Sequence, residues 1–215
     1  MPSKNIIKEY KENTYYHIYN RGVDKRTIFL DKNDYKKFLG YLKFYLSPID
    51  LQGQTLKVSP SRALKNYTEN INLLAYCLMP NHFHLLIHQT DALAIAGFMQ
   101  SLCTKYSISF NKKSKRLGPL FQGRYRAVEV TSEEQLIYLT KYIHRNPIDI
   151  LPSRTDLEGY KYSSYGNYLK RFSQAWIKTE DILEYFKNSS YKEFVEESED
   201  KDILLLKEVA IDVEL

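Results

Sequence analysis

The sequence predicts an α+β fold: a ferredoxin-like, split β-α-β antiparallel sheet with helices on one face, followed by a small, mostly helical C-terminal extension. Three observations carry this expectation. Short runs rich in β-branched and aromatic residues alternate with longer runs whose apolar residues recur every three to four positions. Their order is strand, helix, strand, strand, helix, strand, helix, and the first six match the split β-α-β arrangement. The chain is also long and apolar enough, at 215 residues and 43% hydrophobic, for one core with an appendage. We place the core at residues 1–150 and the extension at 151–215.

Thr14-Tyr15-Tyr16-His17-Ile18-Tyr19-Asn20 reads as a strand stopped at Arg21-Gly22. A helix follows from about Asp34 to Leu46, with Asp31 or Asn33 as its cap, apolar positions at Tyr35, Phe38, Leu39, Leu42 and Leu46, and Pro48 as its stop. Residues 47–70 have weak periodicity and form a long excursion between core elements. Ile71 to Leu78 and His82 to His88 read as strands of a hairpin joined by Met79-Pro80-Asn81. Leu93 to Phe110 carries a helical apolar stripe (Ile95, Phe98, Met99, Leu102, Tyr106, Phe110), and a basic loop from Asn111 to Arg116 with Gly118-Pro119 breaks it. Tyr125 to Val130 alternates like a strand. Ser132 and Gln135 form a capping-box pair for a helix that stops at Asn146, because Pro147 disfavours helical geometry in the residue before it. Beyond it, 160–169 is aromatic and loop-like, while Thr179 and Ser190 are candidate caps of two short helices.

No apolar run is long enough to cross a bilayer, and the N-terminus lacks the apolar segment of a secretory signal. Cys77 and Cys103 sit in apolar surroundings without paired spacing, which fits buried thiols in a reducing cytoplasm. The net charge is only +5, but its distribution is uneven. From Lys105 through Lys112, Lys113, Lys115, Arg116, Arg124 and Arg126 the chain carries no acid, whereas acids dominate from Glu193 onward. A basic block in a chain with 19 tyrosines suits nucleic acid, cations neutralising phosphates and rings stacking on bases. It equally fits a solvated face beside a charge-balancing tail.

The most informative segment is Asn81-His82-Phe83-His84-Leu85. Side chains alternate across a strand, so His82 and His84 project to one side, about 6–7 Å apart at their Cα atoms. Two imidazoles on one rigid strand make half of a divalent-metal site; a hydrogen-bonded pair of histidines fits the same spacing. On the last core helix, Tyr142 and Asn146 are four residues apart and share a face, with Tyr138 one turn back as the competing tyrosine and His144 pointing away. An ion held by His82 and His84 would find an oxygen donor in Asn146, and Tyr142 would stand beside it as a nucleophile toward a phosphodiester. Two imidazoles and an amide oxygen leave most of the coordination sphere to water and phosphate, which suits Mg²⁺ or Mn²⁺ better than structural zinc. A covalent phosphotyrosine would conserve the energy of the broken bond and allow a strand to be rejoined. Tyr142 also fits an ordinary half-buried helix tyrosine.

Five blocks then carry a resemblance. Tyr16-His17-Ile18-Tyr19-Asn20-Arg21-Gly22, the Ala75–Leu86 run with Met79-Pro80-Asn81-His82-Phe83-His84, Leu120-Phe121-Gln122-Gly123-Arg124-Tyr125, Tyr142-Ile143-His144-Arg145-Asn146-Pro147 and Ser163-Ser164-Tyr165 occur in the order found in single-tyrosine HUH transposases. The chain resembles their REP-associated tyrosine transposase branch over roughly residues 14 to 170. The resemblance implies a metal-dependent endonuclease of ferredoxin-like fold that nicks single-stranded DNA near a hairpin through a 5′-phosphotyrosine. It implies His82 and His84 as metal ligands and Tyr142 as the catalytic tyrosine, with Asn146 as an added ligand. Asn20 and Arg21 of the first block are expected to contact DNA, Arg124 and Arg126 phosphates, and Lys112, Lys113, Lys115 and Arg116 to form a basic DNA-binding loop. His17 reads as a strand-internal, structural residue. The rival expectations are a domesticated hairpin-binding regulator that does not cut and, leaving Tyr142 unemployed, a metal-dependent RNA hydrolase. The family pattern leaves monomer and homodimer both open, and the acidic tail matches no family block.

Overall fold

The computed structural model describes residues 9–48 and 65–197. The core runs β1 (Thr14–Arg21), α1 (Lys32–Leu46), β2 (Ile71–Met79), β3 (His82–Gln89), α2 (Ala94–Lys113), β4 (Arg126–Val130) and α3 (Glu133–Arg145). The sheet is antiparallel throughout, in the order β2-β3-β1-β4. Most of the 47–70 excursion, and the tail acids beyond residue 197, lie outside the described residues. Among those described, no helix is long and apolar enough to cross a membrane.

Local chemistry sets the element ends. Asp31 caps α1, its carboxylate accepting from the Asn33 and Asp34 amides, so of the two expected caps Asp31 does the work. Ser132 accepts from the Gln135 amide, while the Gln135 side chain reaches back to the Thr131 amide, one residue earlier than in a regular capping box. The helix α2 continues to Lys113, further than the apolar stripe. Lys112 and Lys113 therefore sit on its last turn, where cations complement the partial negative charge of a helix C-terminus, and not in a loop.

The helices are divided between the two faces of the sheet, which corrects the one-face expectation. Phe83, Leu85 and Ile87 of β3 pack with Ile18 of β1 against α1 and α2, through Phe38, Leu42, Phe98 and Leu102. The alternate β3 residues face the other way, where Leu86 joins Leu136, Leu139 and Ile143 of α3. A bulge in β2 helps serve both layers: Leu73 pairs with Ile87 and Ala75 with Leu86, leaving Leu74 as the extra residue. Leu74, Ala75 and Cys77 consequently line the α3 face together. Each face of the sheet is apolar enough to need cover, and α3 has its own apolar stripe, so a one-sided arrangement would leave both exposed.

The extension is built into the second layer. After a 3₁₀ turn at Asn146–Ile150 come a 3₁₀ segment at Arg154–Gly159, α4 (Tyr165–Tyr168), α5 (Glu180–Leu183) and α6 (Tyr191–Glu196). Ser190 caps α6 through the Glu193 amide, whereas Thr179 makes no side-chain cap to α5. Tyr165, Tyr168, Ile182 and Tyr191 are buried in the α3 layer. Backbone bonds from the Leu78 amide to the Tyr162 carbonyl, from Ser164 to Tyr76 and from Lys178 to Leu73 cover the outer edge of β2, an edge that would otherwise invite pairing with another chain.

Candidate metal and tyrosine site

Sheet register brings the site together at one end of the α3 face. His82 pairs with Arg21 of β1 and Met79 of β2, and His84 with Tyr19 and Cys77. Cross-strand partners share a face, so Arg21, His82, Tyr19 and His84 point toward α3 while Phe83 enters the opposite core.

The proton positions follow from the hydrogen bonds. Asn81 donates through Nδ2 to the Lys25 carbonyl, so its Oδ1 faces His82 Nδ1 at 2.7 Å and accepts from it. In the neutral ring the lone pair then lies on Nε2. Asn146 donates from Nδ2 to the Tyr142 carbonyl, at 2.9 Å, which turns its Oδ1 toward His82 Nε2 at 3.4 Å. Two lone-pair atoms thus face one another, close to the spacing of about 3 Å between adjacent ligands of an octahedral ion with bonds of 2.0–2.1 Å. His84 Nε2 is buried without a hydrogen-bond partner, a costly condition that a bound cation relieves. The residues present therefore fit a divalent ion. Among the described residues no group of three or more His, Cys, Asp or Glu is arranged for a metal, so the protein's share of such a site is two imidazoles and an amide oxygen.

Burial pushes His82 down to about 4; the Asn146 carboxamide oxygen, which accepts from Nε2 only when the ring is charged, opposes this and the Arg21 charge assists it. Burial, then the neighbouring His82, His17 and Arg21, hold His84 well below the ordinary histidine range. Both rings are neutral at pH 7, the form that coordinates metal. Sequence reasoning missed the partner of His84: His17 Nε2 lies 2.9 Å from its Nδ1, with the rings stacked at 18°. The even spacing of His17, Tyr19 and Arg21 marked a common face, but which strand that face adjoins depends on register.

The two tyrosines of α3 diverge. Tyr142 lies edge-on to His84, with ring centroids 5.4 Å apart, and 6.0 Å from His17. Tyr138 packs on Phe194 of α6. His144 points away as expected: Nδ1 is 2.7 Å from Tyr191 Oη and Nε2 2.8 Å from Ser164 Oγ. It ties the tyrosine helix to the extension, assisted by Arg145, which donates to the Val195 and Glu197 carbonyls.

The expected DNA-contacting residues separate in the same way. Asn20 is only 5% exposed and lies opposite Phe83, on the far face from the histidines; it donates to the Gly123 carbonyl and accepts from the Arg21 amide. Its parity in β1 makes it a brace for the 122–124 loop and removes it from the DNA-facing set. Lys113 is held between Asp31 at 2.9 Å and Asp34 at 2.6 Å, so its charge is already compensated. Arg116 donates to Asn111. Arg126 pairs with Tyr19 on the histidine face, and Arg124, Lys112 and Lys115 are exposed. Tyr160, Tyr162 and Tyr165 serve packing: Tyr160 donates to the Leu78 carbonyl, Tyr162 stacks on Tyr35 at 3.7 Å, and Tyr165 is fully buried.

None of the curated proteins matches the chain. Among solved structures, the fold matches a REP-associated tyrosine transposase bound to a REP hairpin, with TM-score 0.53 and 12% identity over 87% of this chain and 98% of that one. A protein of Deinococcus radiodurans R1, classed provisionally as a transposase, aligns with TM-score 0.39 and 17% identity over 65% of this chain and 95% of its own. The family described as IS200-like transposases matches residues 10–146, a span that takes in the sheet, both histidines, Tyr142 and Asn146. The chain belongs to the IS200-like transposase family.

Proposed function

We propose that this transposase is a metal-dependent endonuclease that nicks single-stranded DNA beside a hairpin through a covalent 5′-phosphotyrosine at Tyr142, and that it rejoins strands by the reverse step. The observation that carries the proposal is the unpartnered His84 Nε2 and the His82 Nε2–Asn146 Oδ1 gap beside the Tyr142 ring. A hairpin partner is supported by the shared fold with a transposase that binds one. His82, His84 and Asn146 would hold Mg²⁺ or Mn²⁺, which when bound supplies Lewis-acid polarisation of a phosphoryl oxygen.

The chain's own residues do the rest. Arg21 adds positive charge that lowers both imidazoles, and with Arg126 on the same face it would neutralise phosphates near the scissile one. Tyr142 Oη forms a bond to phosphorus as the bond from phosphorus to the 3′ oxygen breaks. The phenolic proton passes to solvent and the departing 3′ oxygen takes one up, so charge balances. In the reverse direction a 3′ hydroxyl attacks the phosphotyrosine and releases the phenol.

Incubation of labelled single-stranded hairpin DNA with protein and Mn²⁺ should give a denaturation-resistant adduct. Tyr142→Phe should form none, and His82→Ala should lose cleavage while still binding the hairpin. An adduct formed as readily by Tyr142→Phe rejects Tyr142 as nucleophile, and hairpin binding without cleavage in any divalent ion favours a purely regulatory binder.

A further inference from the structure

We infer that His17 is a positioning residue: it accepts the Nδ1 proton of His84 and thereby leaves the His84 Nε2 lone pair directed at the metal. This rests on the metal site proposed above and concerns how that site is set. His17 lies on β1 opposite Leu86, one diagonal step from His84, which lies opposite Tyr19. Diagonal neighbours on one face are within reach of long side chains, and here they bring His17 Nε2 within 2.9 Å of His84 Nδ1. Both residues are buried, at 1% and 3% exposure, so no solvent competes for the bond.

Between two neutral imidazoles one proton occupies that bond, and its location decides what His84 presents on the other side. If His17 donates, His84 must carry its own proton on Nε2, aimed at the place where a cation would sit. If His84 donates, Nε2 carries a lone pair there. Only the second arrangement ligates, so ion binding selects His17 as the acceptor. Outer partners that fix the tautomer and orientation of a ligating histidine typically change metal affinity by 10–100-fold when removed. His17 differs from a packing residue in one measurable way: an acceptor at its Nε2 position matters, and its aromatic bulk does not.

The test compares wild type, His82→Ala, His17→Phe and His17→Gln, all stripped of metal, by titrating Mn²⁺ and following free Mn²⁺ by electron paramagnetic resonance. His82→Ala reports on the site itself. His17→Phe keeps an aromatic ring and loses the acceptor, and should weaken Mn²⁺ by about 10–100-fold while leaving hairpin binding in EDTA unchanged. His17→Gln, whose carboxamide oxygen reaches the same neighbourhood, should recover affinity to within a few-fold of wild type. Nitrogen-15 NMR of wild type with Mg²⁺ should show His84 protonated at Nδ1, a readout independent of how any variant folds. Equal Mn²⁺ affinity in wild type and His17→Phe, with a loss in His82→Ala, overturns the role of His17 and leaves the metal site standing. A His84 protonated at Nε2 in the Mg²⁺ form overturns it as well. No Mn²⁺ binding sensitive to His82 overturns the site, and the role of His17 with it.

Discussion

Replacing His144 by glutamine is expected to make the fold less sensitive to acid by about one proton. His144 is fully buried, its two nitrogens 2.7 Å from Tyr191 Oη and 2.8 Å from Ser164 Oγ, and burial holds its pKa down at about 3. In the unfolded chain a histidine titrates near 6.5. Between those values the unfolded state binds a proton that the folded state refuses. Stability is therefore complete above about pH 6.5 and is lost as pH falls, at about 1.4 kcal/mol per unit for one such group. By pH 5 His144 alone accounts for about 2 kcal/mol, a large part of the 5–15 kcal/mol by which domains are stable. His82, lowered to about 4, has the same sign, as does His84. The carboxylates of Asp31, Glu158 and Glu184, held low by lysine partners, act below this window. Urea unfolding in EDTA at steps from pH 7.5 to 5 measures the effect: the slope of ΔG against pH in His144→Gln should fall by about 1.4 kcal/mol per unit relative to wild type. Parallel slopes in the two proteins would refute the reasoning, whatever their absolute stabilities.

Three further expectations concern other parts of the molecule. A Cβ on Gly22 would lie 2.2 Å from the Arg26 carbonyl oxygen, so Gly22→Ala must displace backbone next to Arg21; denaturant melts should show a loss of about 1–3 kcal/mol, together with weaker cleavage. Lys113→Ala leaves the buried Asp34 without its ammonium partner and should lower the denaturant midpoint, with hairpin affinity at fixed salt unchanged. Arg126→Ala should lower affinity and reduce the slope of log K against log salt by about 1 in a fluorescence titration.

Much of the core was legible because periodicity was strong where burial is one-sided or continuous. The hairpin from Ile71 to Gln89 and the α2 stripe through Phe98, Leu102, Tyr106 and Phe110 are examples. The face of the sheet that α3 covers was not legible, because an apolar stripe on a helix says that it packs and not on which layer. His82, His84, Tyr142 and Asn146 could be grouped from spacing within a strand and within a helix. His17 and Asn20 could not be sorted, because alternation fixes which β1 residues share a face but not which face meets β3's histidines. The pairing of Arg21 with His82 makes that choice. The ion pairs of Lys113 were not legible for a related reason: nothing local announces that Asp31 and Asp34 close on it, at separations of 82 and 79. The aromatic 160–169 segment looked like loop because its partners are β2 backbone groups, which leave no periodic trace.

The central place of β1 has a consequence for biosynthesis. It is an early strand, yet its neighbours are β3 and β4, and the bond that links His17 to His84 spans 67 positions. A nascent chain that has left the ribosome only through β3 can pair both imidazoles with β1, but it has no tyrosine helix and no α6 to anchor one. Pairings this remote also close slowly, since each must first overcome the entropy of a long loop. The proposed site is thus completed only after translation has passed every element of the sheet, so a product that ends before α3 would lack the tyrosine the proposal needs.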